Sequence, residues 1–180
     1  VSYDHLGEIE GKGRSEDDLA FLRGERDYLN CLMVERRNGD FAVTMARQLY
    51  FAAFMHPFWR AIAGTSSDDT LRGEAAKAEK EMAYHLRHSG EWVIRLGDGT
   101  EESAARMQAA VDELHRYTGE LFIASPARTR AIADGLLPDA GSLRPRRGHD
   151  HIRVRRRPAA ATTGPVSCAP PKQHPRSRVP

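Results

Sequence analysis

Residues 70–96 read TLRGEAAKAEKEMAYHLRHSGEWVIRL, and the spacing of their apolar and small side chains decides the fold. Leu71, Ala75, Ala78, Met82, His85, Ser89, Trp92 and Leu96 recur at alternating steps of four and three, which puts them on one stripe of a long α-helix. The alanines on that stripe permit a neighbouring helix to come close. Downstream, Gly97-Asp98-Gly99 stops the helix, and Asp98 or Thr100 caps the next one, whose stripe is Ala104, Met107, Val111 and Leu114. Upstream, Asp40 is a natural N-cap for a helix in which Phe41, Met45, Gln48, Ala52, Met55, Trp59 and Ile62 recur at the same steps. Pro57 inside that run removes one backbone donor and crowds the preceding turn, so a bent helix is expected rather than two helices. No part of residues 16–123 alternates apolar and polar positions with β-branched enrichment. The sequence therefore predicts an all-α protein whose short loops make consecutive helices antiparallel.

The flanks are less regular. Ser15 is placed to cap a turn made acidic by Glu16, Asp17 and Asp18, with Leu19, Phe21 and Leu22 as its apolar contacts and Gly24 ending or bending it. Residues 27–35 carry Tyr28, Leu29, Leu32 and Met33 at helical spacing before Asn38-Gly39-Asp40 breaks the chain. Residues 119–123 make one more apolar turn, ended by Ala124-Ser125-Pro126. The expected organisation is a loop or helix end over residues 1–15, where Gly7, Gly11 and Gly13 interrupt any pattern, a helical domain over 16–125, a linker or short helix over 126–143, and a tail over 144–180.

Charge separates the tail from the rest. Residues 1–143 carry 17 Lys+Arg against 24 Asp+Glu, a net of −7, and residues 144–180 carry 10 against 1, a net of +9. Seven of the ten prolines also fall in the tail, which has too few apolar side chains to offset the entropy of ordering it and is expected to be disordered. Its arginines admit a nucleic-acid-binding reading through phosphate attraction, but it holds no aromatic or folded reader, so a solvated extension is preferred.

Composition excludes several classes. With 40% hydrophobic and 29% charged residues in 180, there is room for one ordinary domain plus an extension. No run approaches the ~18 apolar residues of a membrane span, and the opening Val1-Ser2-Tyr3-Asp4-His5 has no secretory pattern, so a cytoplasmic address is expected. Cys31 and Cys168 make neither a disulfide framework nor a zinc pattern and read as free thiols. Neither a Gly-x-Ser-x-Gly elbow nor a Walker-type loop occurs, and the segment from Gly97 to Ser103 is accounted for as a helix stop followed by a capped start.

One group on the long helix is not required by a plain core. Glu81, His85 and His88 follow one another at steps of four and three, so Glu81 and His85 share ground on which a metal or a proton could be held. A carboxylate-bridged di-iron site in a helical bundle needs a Glu from each of two helices and a Glu-x-x-His pair from each of two others. No Glu-x-x-His occurs in this chain; Glu81-x-x-x-His85 has the wrong spacing and Asp112-x-x-His115 a shorter acid. The plainer reading has His85 neutral in a helix interface and Glu81 paired with Lys77 or a neighbouring arginine. Trp59 and Trp92 read as core anchors, and Met45, Met55, Met82 and Met107 as packing residues.

Between about residues 2 and 122 the sequence resembles a known family, the C subunit of the multicomponent phenylacetyl-CoA epoxidase, or phenylacetate-CoA oxygenase. The resemblance rests on Asp17-Asp18-Leu19-Ala20-Phe21-Leu22-Arg23, on Asn38-Gly39-Asp40-Phe41-Ala42 with Met45-Ala46-Arg47-Gln48, on Lys80-Glu81 with Tyr84-His85-Leu86-Arg87-His88, on the block from Trp92 to Ser103, and on Tyr117-Thr118-Gly119-Glu120-Leu121-Phe122. It implies a ferritin-like helical bundle, incomplete in this chain, that pairs as a heterodimer or higher hetero-oligomer with a homologous A subunit. The A subunit would hold the di-iron centre and epoxidise phenylacetyl-CoA with electrons from a reductase, which meets this chain only indirectly. This chain would be a structural partner without cofactor or catalytic residues, with Lys80, Glu81 and His85 as a vestigial site or a subunit contact. Family members carry two further helices ahead of the matched segment and an ordinary helical, acidic C-terminus. That difference implies an N-terminal truncation and a tail produced by a frame shift or a misassigned gene end. His115 stands where the family has a tryptophan. The alternatives are a di-iron oxygenase acting by itself and, ranked lower, a helical nucleic-acid-binding protein using the tail.

Overall fold

The computed structural model describes residues 3–144. Among the described residues, seven helices follow one another: α1 (Tyr3–Glu10), α2 (Glu16–Ala20), α3 (Leu32–Glu35), α4 (Phe41–Thr65), α5 (Asp69–Gly97), α6 (Glu101–His115) and α7 (Pro126–Ala133). Short 3₁₀ turns lie at Glu25–Asp27, Thr118–Phe122 and Ala140–Leu143, and no strand occurs among the described residues. The protein is an all-α helical bundle, as the stripes of the three long helices predict. The tail expected to be disordered lies, apart from Arg144, outside the described residues.

Polar residues start the helices where the sequence places them. Asp40 accepts from the Val43 N–H at 3.0 Å and opens α4, and Thr100, rather than Asp98, accepts from the Ser103 N–H at 3.1 Å and opens α6. Asp68 does the same for α5, accepting from Leu71 at 2.8 Å. Ser15 and Asp18 form a reciprocal capping box at α2. Helix α4 runs unbroken through Pro57, so the single-helix expectation holds.

Helices α4 and α5 lie antiparallel along their length, with α6 packed against both. The core is Met33, Ala46, Ile62, Ala75, Met107, Val111 and Leu114, closed at one end by the stacked rings of Phe54 and Phe58 and the edge of Phe122. Ser89 is fully buried in the α5 stripe because its hydroxyl donates to the His85 carbonyl at 2.6 Å, which satisfies it without a partner helix.

Two expectations need correction. Helix α2 ends at Ala20 and residues 27–35 are helical only from Leu32. The reason is local: the carbonyls of Leu19 and Ala20, which a further helical turn would use, accept instead from Arg23 Nε at 2.7 Å and from the Tyr28 hydroxyl at 2.6 Å. Phe21 and Leu22, read as apolar contacts beside Leu19, are exposed, and so is Leu29 of the expected helical stretch. The second concerns Gly7, which does not interrupt α1 but lies inside it. A Cβ there would stand 2.6 Å from the Arg14 carbonyl oxygen, so glycine permits the chain to fold back over the helix.

Candidate functional site

The outer half of α5 carries the residues singled out above. Lys80 and Glu81 are exposed and His85 is half-buried. Glu81 Oε1 lies 3.5 Å from His85 Nε2, with side chains 68% and 33% exposed. The His85 ring meets Tyr84 edge-on, 5.4 Å between centroids, and Tyr84 stacks on His88 at 5.8 Å. The structure thus brings Glu81 and His85 together and turns His88 to Tyr84. Lys77, expected opposite Glu81, pairs instead with Glu74 at 2.9 Å.

At the second acid–imidazole spacing each side chain has a neighbour on another turn or helix. Asp112 accepts from Gln108 Nε2 at 2.8 Å, while the His115 ring packs against Tyr50, 6.0 Å between centroids. Tyr50 also points its hydroxyl at the Val111 carbonyl, 3.4 Å away, and burial pushes its pKa up to about 12. Trp92 packs edge-on against Phe41 at 5.0 Å, Trp59 lies beside Phe58 at 6.2 Å, and both tryptophans border the core. The loop of Gly97, Asp98 and Gly99 is closed by Ser103, whose hydroxyl donates to the carbonyls of Leu96 at 2.8 Å and Thr100 at 3.0 Å. Beside it, Asp40, Phe41, Leu96, Ser103 and Arg106 line a shallow cleft of about 220 Å³.

Some contacts could not be read from one-dimensional spacing. Glu79 of α5 receives Arg60 Nε at 2.7 Å and lies 3.8 Å from His56 Nε2, both on α4. His5 Nε2 of α1 lies 3.3 Å from Asp68, the cap of α5. Neither pairing has a sequence signal, because each depends on how the helices lie in space.

The family resemblance places a di-iron centre in a partner subunit rather than in this chain. Such a centre draws carboxylates from four helices and imidazoles from two. Glu81 and His85 stand on a single helix, and no group of three or more His, Cys, Asp or Glu able to hold a metal occurs among the described residues. The residues described do not fit the group. Among them, no helix is long and apolar enough to cross a membrane.

The family model described as phenylacetic acid catabolic protein matches residues 1–156. The chain belongs to that family. Its match runs past residue 122, where the resemblance was placed, so α7 and the last 3₁₀ turn lie within the span of a phenylacetic acid catabolic protein. One curated member, the C subunit of the 1,2-phenylacetyl-CoA epoxidase of Escherichia coli (strain K12), is 41% identical over 140 residues, 78% of this chain and 56% of the relative. The chain thus spans little more than half the length of that curated relative.

Proposed function

We propose that this chain is a non-catalytic structural subunit of a ring-epoxidising monooxygenase acting on phenylacetyl-CoA in aerobic phenylacetate degradation. It pairs with a di-iron A subunit, and the reductase component reaches it only through that partner, in the cytoplasm. The observation that carries this reading is the 41% identity to a protein named as the C subunit of 1,2-phenylacetyl-CoA epoxidase. The donor chemistry supports it, since the acid and imidazole of Glu81 and His85 belong to one turn of a single helix, whereas a di-iron site draws its donors from four. Lys80, Glu81 and His85 are assigned to subunit contact.

The test is co-expression of the chain with a phenylacetyl-CoA epoxidase A subunit, followed by size-exclusion chromatography and iron analysis. A co-eluting complex whose iron stays with the A subunit after separation is the expected result. A stoichiometric pair of irons in this chain alone would overturn the proposal in favour of an oxygenase acting by itself.

A further inference from the structure

Residues 3–20 form a lobe of their own. Helix α1 packs against α2, and Leu19 of α2 is buried beside Gly7 of α1. Among the described residues, none before Cys31 packs against the hydrophobic core. The lobe is tied to the bundle by His5, whose Nε2 lies 3.3 Å from Asp68 Oδ2 in the loop between α4 and α5. The other ring nitrogen, Nδ1, lies 3.7 Å from Glu8 Oε2 of α1 itself. The His5 side chain is 19% exposed and that of Asp68 24%, so salt and solvent screen their contact less than that of an exposed pair.

The two ends of this tie differ in rigidity. Asp68 is fixed: its Oδ1 accepts from the Leu71 N–H at 2.8 Å, its own N–H donates to Ser66 Oγ at 3.3 Å, and Ser66 is buried. The lobe joins the bundle through residues 21–30, where Phe21, Leu22 and Leu29 are exposed rather than packed. An imidazolium donates from both ring nitrogens, so a protonated His5 satisfies Asp68 and Glu8 together. A neutral ring keeps one donor and turns a lone pair toward the other carboxylate, which converts an attraction into a repulsion. The remaining charges nearby are engaged elsewhere. Arg72 pairs with Asp69 and donates to the Ser66 carbonyl at 2.8 Å, Arg14 pairs with Glu10, and Asp18 is closed in the α2 capping box with Ser15.

We propose that residues 3–20 form a pH-gated arm, clamped to the α4–α5 loop while His5 is protonated and released when it is not. The gate works between about pH 5 and 8, where histidines change charge, above the range in which carboxylates take up protons. It is independent of the subunit role proposed above. The same loop supplies an internal control, because it holds the chain after α7 through the Ser67 N–H and the Gly135 carbonyl, 2.9 Å apart, a bond without a titratable group.

Hydrogen–deuterium exchange of the full chain, corrected for the intrinsic dependence of exchange on pH, tests this at about pH 5.5 and about pH 8. Amides of residues 3–10 should lose roughly fivefold or more of their protection at the higher pH, while residues 126–136 keep theirs. His5→Gln, which carries no charge, should show the low protection at both pH values, with the melting of the bundle unchanged because the arm lies outside the core. Asp68→Asn keeps a capping side chain for α5 and removes the charge that His5 faces, so it should free the arm at both pH values. Equal protection of residues 3–10 at the two pH values in wild type overturns the gate. So does a pH-dependent loss that survives in His5→Gln, which would place the switch in another group. Should Asp68→Asn fail to fold, the wild-type comparison and His5→Gln decide.

Discussion

Glu120, in the 3₁₀ turn after α6, accepts a hydrogen bond at 3.0 Å from the backbone N–H of Met33, 87 residues earlier. Helix α3 has Cys31 as its N-cap, whose side chain makes no capping bond, so the carboxylate of a distant turn satisfies one of the open donors instead. A negative charge at that end of a helix is also favoured by the helix dipole. The bond fixes the turn that inserts the fully buried Met33 into the core. Glu120→Ala should therefore destabilise the chain by ~1–2 kcal/mol, the cost of leaving a shielded donor unmade. Glu120→Gln keeps an acceptor and should lose only part of that. Urea denaturation measures both, and equal midpoints for wild type and Glu120→Ala would contradict the capping role.

Acid should weaken the helix starts. Asp40 is held below the usual carboxylate range first by the Val43 N–H and then by Arg106, 3.4 Å away, and Asp68 likewise by the Leu71 N–H and then His5. A carboxyl depressed in the folded state contributes stability that is complete above its unfolded pKa of ~3.9 and is lost as pH falls through its lower folded value. Stability should thus decline below about pH 4, and Asp40→Asn should flatten part of that decline. Asp40→Ala should cost ~1 kcal/mol at neutral pH. Thermal unfolding between neutral and acid pH checks the sign, and a variant whose acid decline matches wild type would contradict it.

Burial should divide the apolar residues into two classes. Leu114 is fully buried in the α6 stripe, and Ile94, on the outer side of α5, is 65% exposed. Leu114→Ala should cost ~2–5 kcal/mol through lost contacts and the cavity left behind. Ile94→Ala should stay within ~0.5 kcal/mol. Similar losses in both, read from chemical denaturation, would mean that the packing described around α6 is wrong.

The three long helices were legible because each is long enough for its period to repeat, but the buried face matched the expected stripe closely only in α6. On α4, Phe41 of the expected stripe is exposed while Ala42, Ala46, Phe54 and Phe58 off it are buried, and on α5, Val93 is buried off the stripe. Asp40 and Thr100 were legible because a cap acts within three residues. The loop of residues 21–32 was not. Its leucines stand at helical spacing, but the bonds from Arg23 and Tyr28 that take up the carbonyls of Leu19 and Ala20 depend on the chain doubling back. Gly7 was misread for a related reason: a glycine in a helix looks like a break until the strand of chain that crosses it is known. At the candidate site, the spacing correctly brought Glu81 and His85 together, since neighbours on one helix are fixed by its geometry. The ties of Glu79 to His56 and Arg60 join two helices and had no counterpart in the spacing.

A contact role and a folding role for Lys80, Glu81 and His85 predict different outcomes. The pair of Glu81 and His85 is an i,i+4 contact with a largely exposed acid, worth ~0.3–0.5 kcal/mol at most. Lys80 is exposed, and nothing about its position ties it to the core. Alanine at each position should therefore leave the unfolding midpoint of the isolated chain nearly unchanged. If the three side chains meet the A subunit, truncation leaves a desolvated partner group unmatched, and at least one of the three should weaken the complex by tenfold or more. Conservative replacements sharpen the reading: Lys80→Arg and Glu81→Asp keep the charge and should restore part of the affinity, which mere loss of helix propensity would not allow. Undiminished complex formation by all three alanine variants would place these residues on a solvent-facing turn and confine the contact to other surfaces.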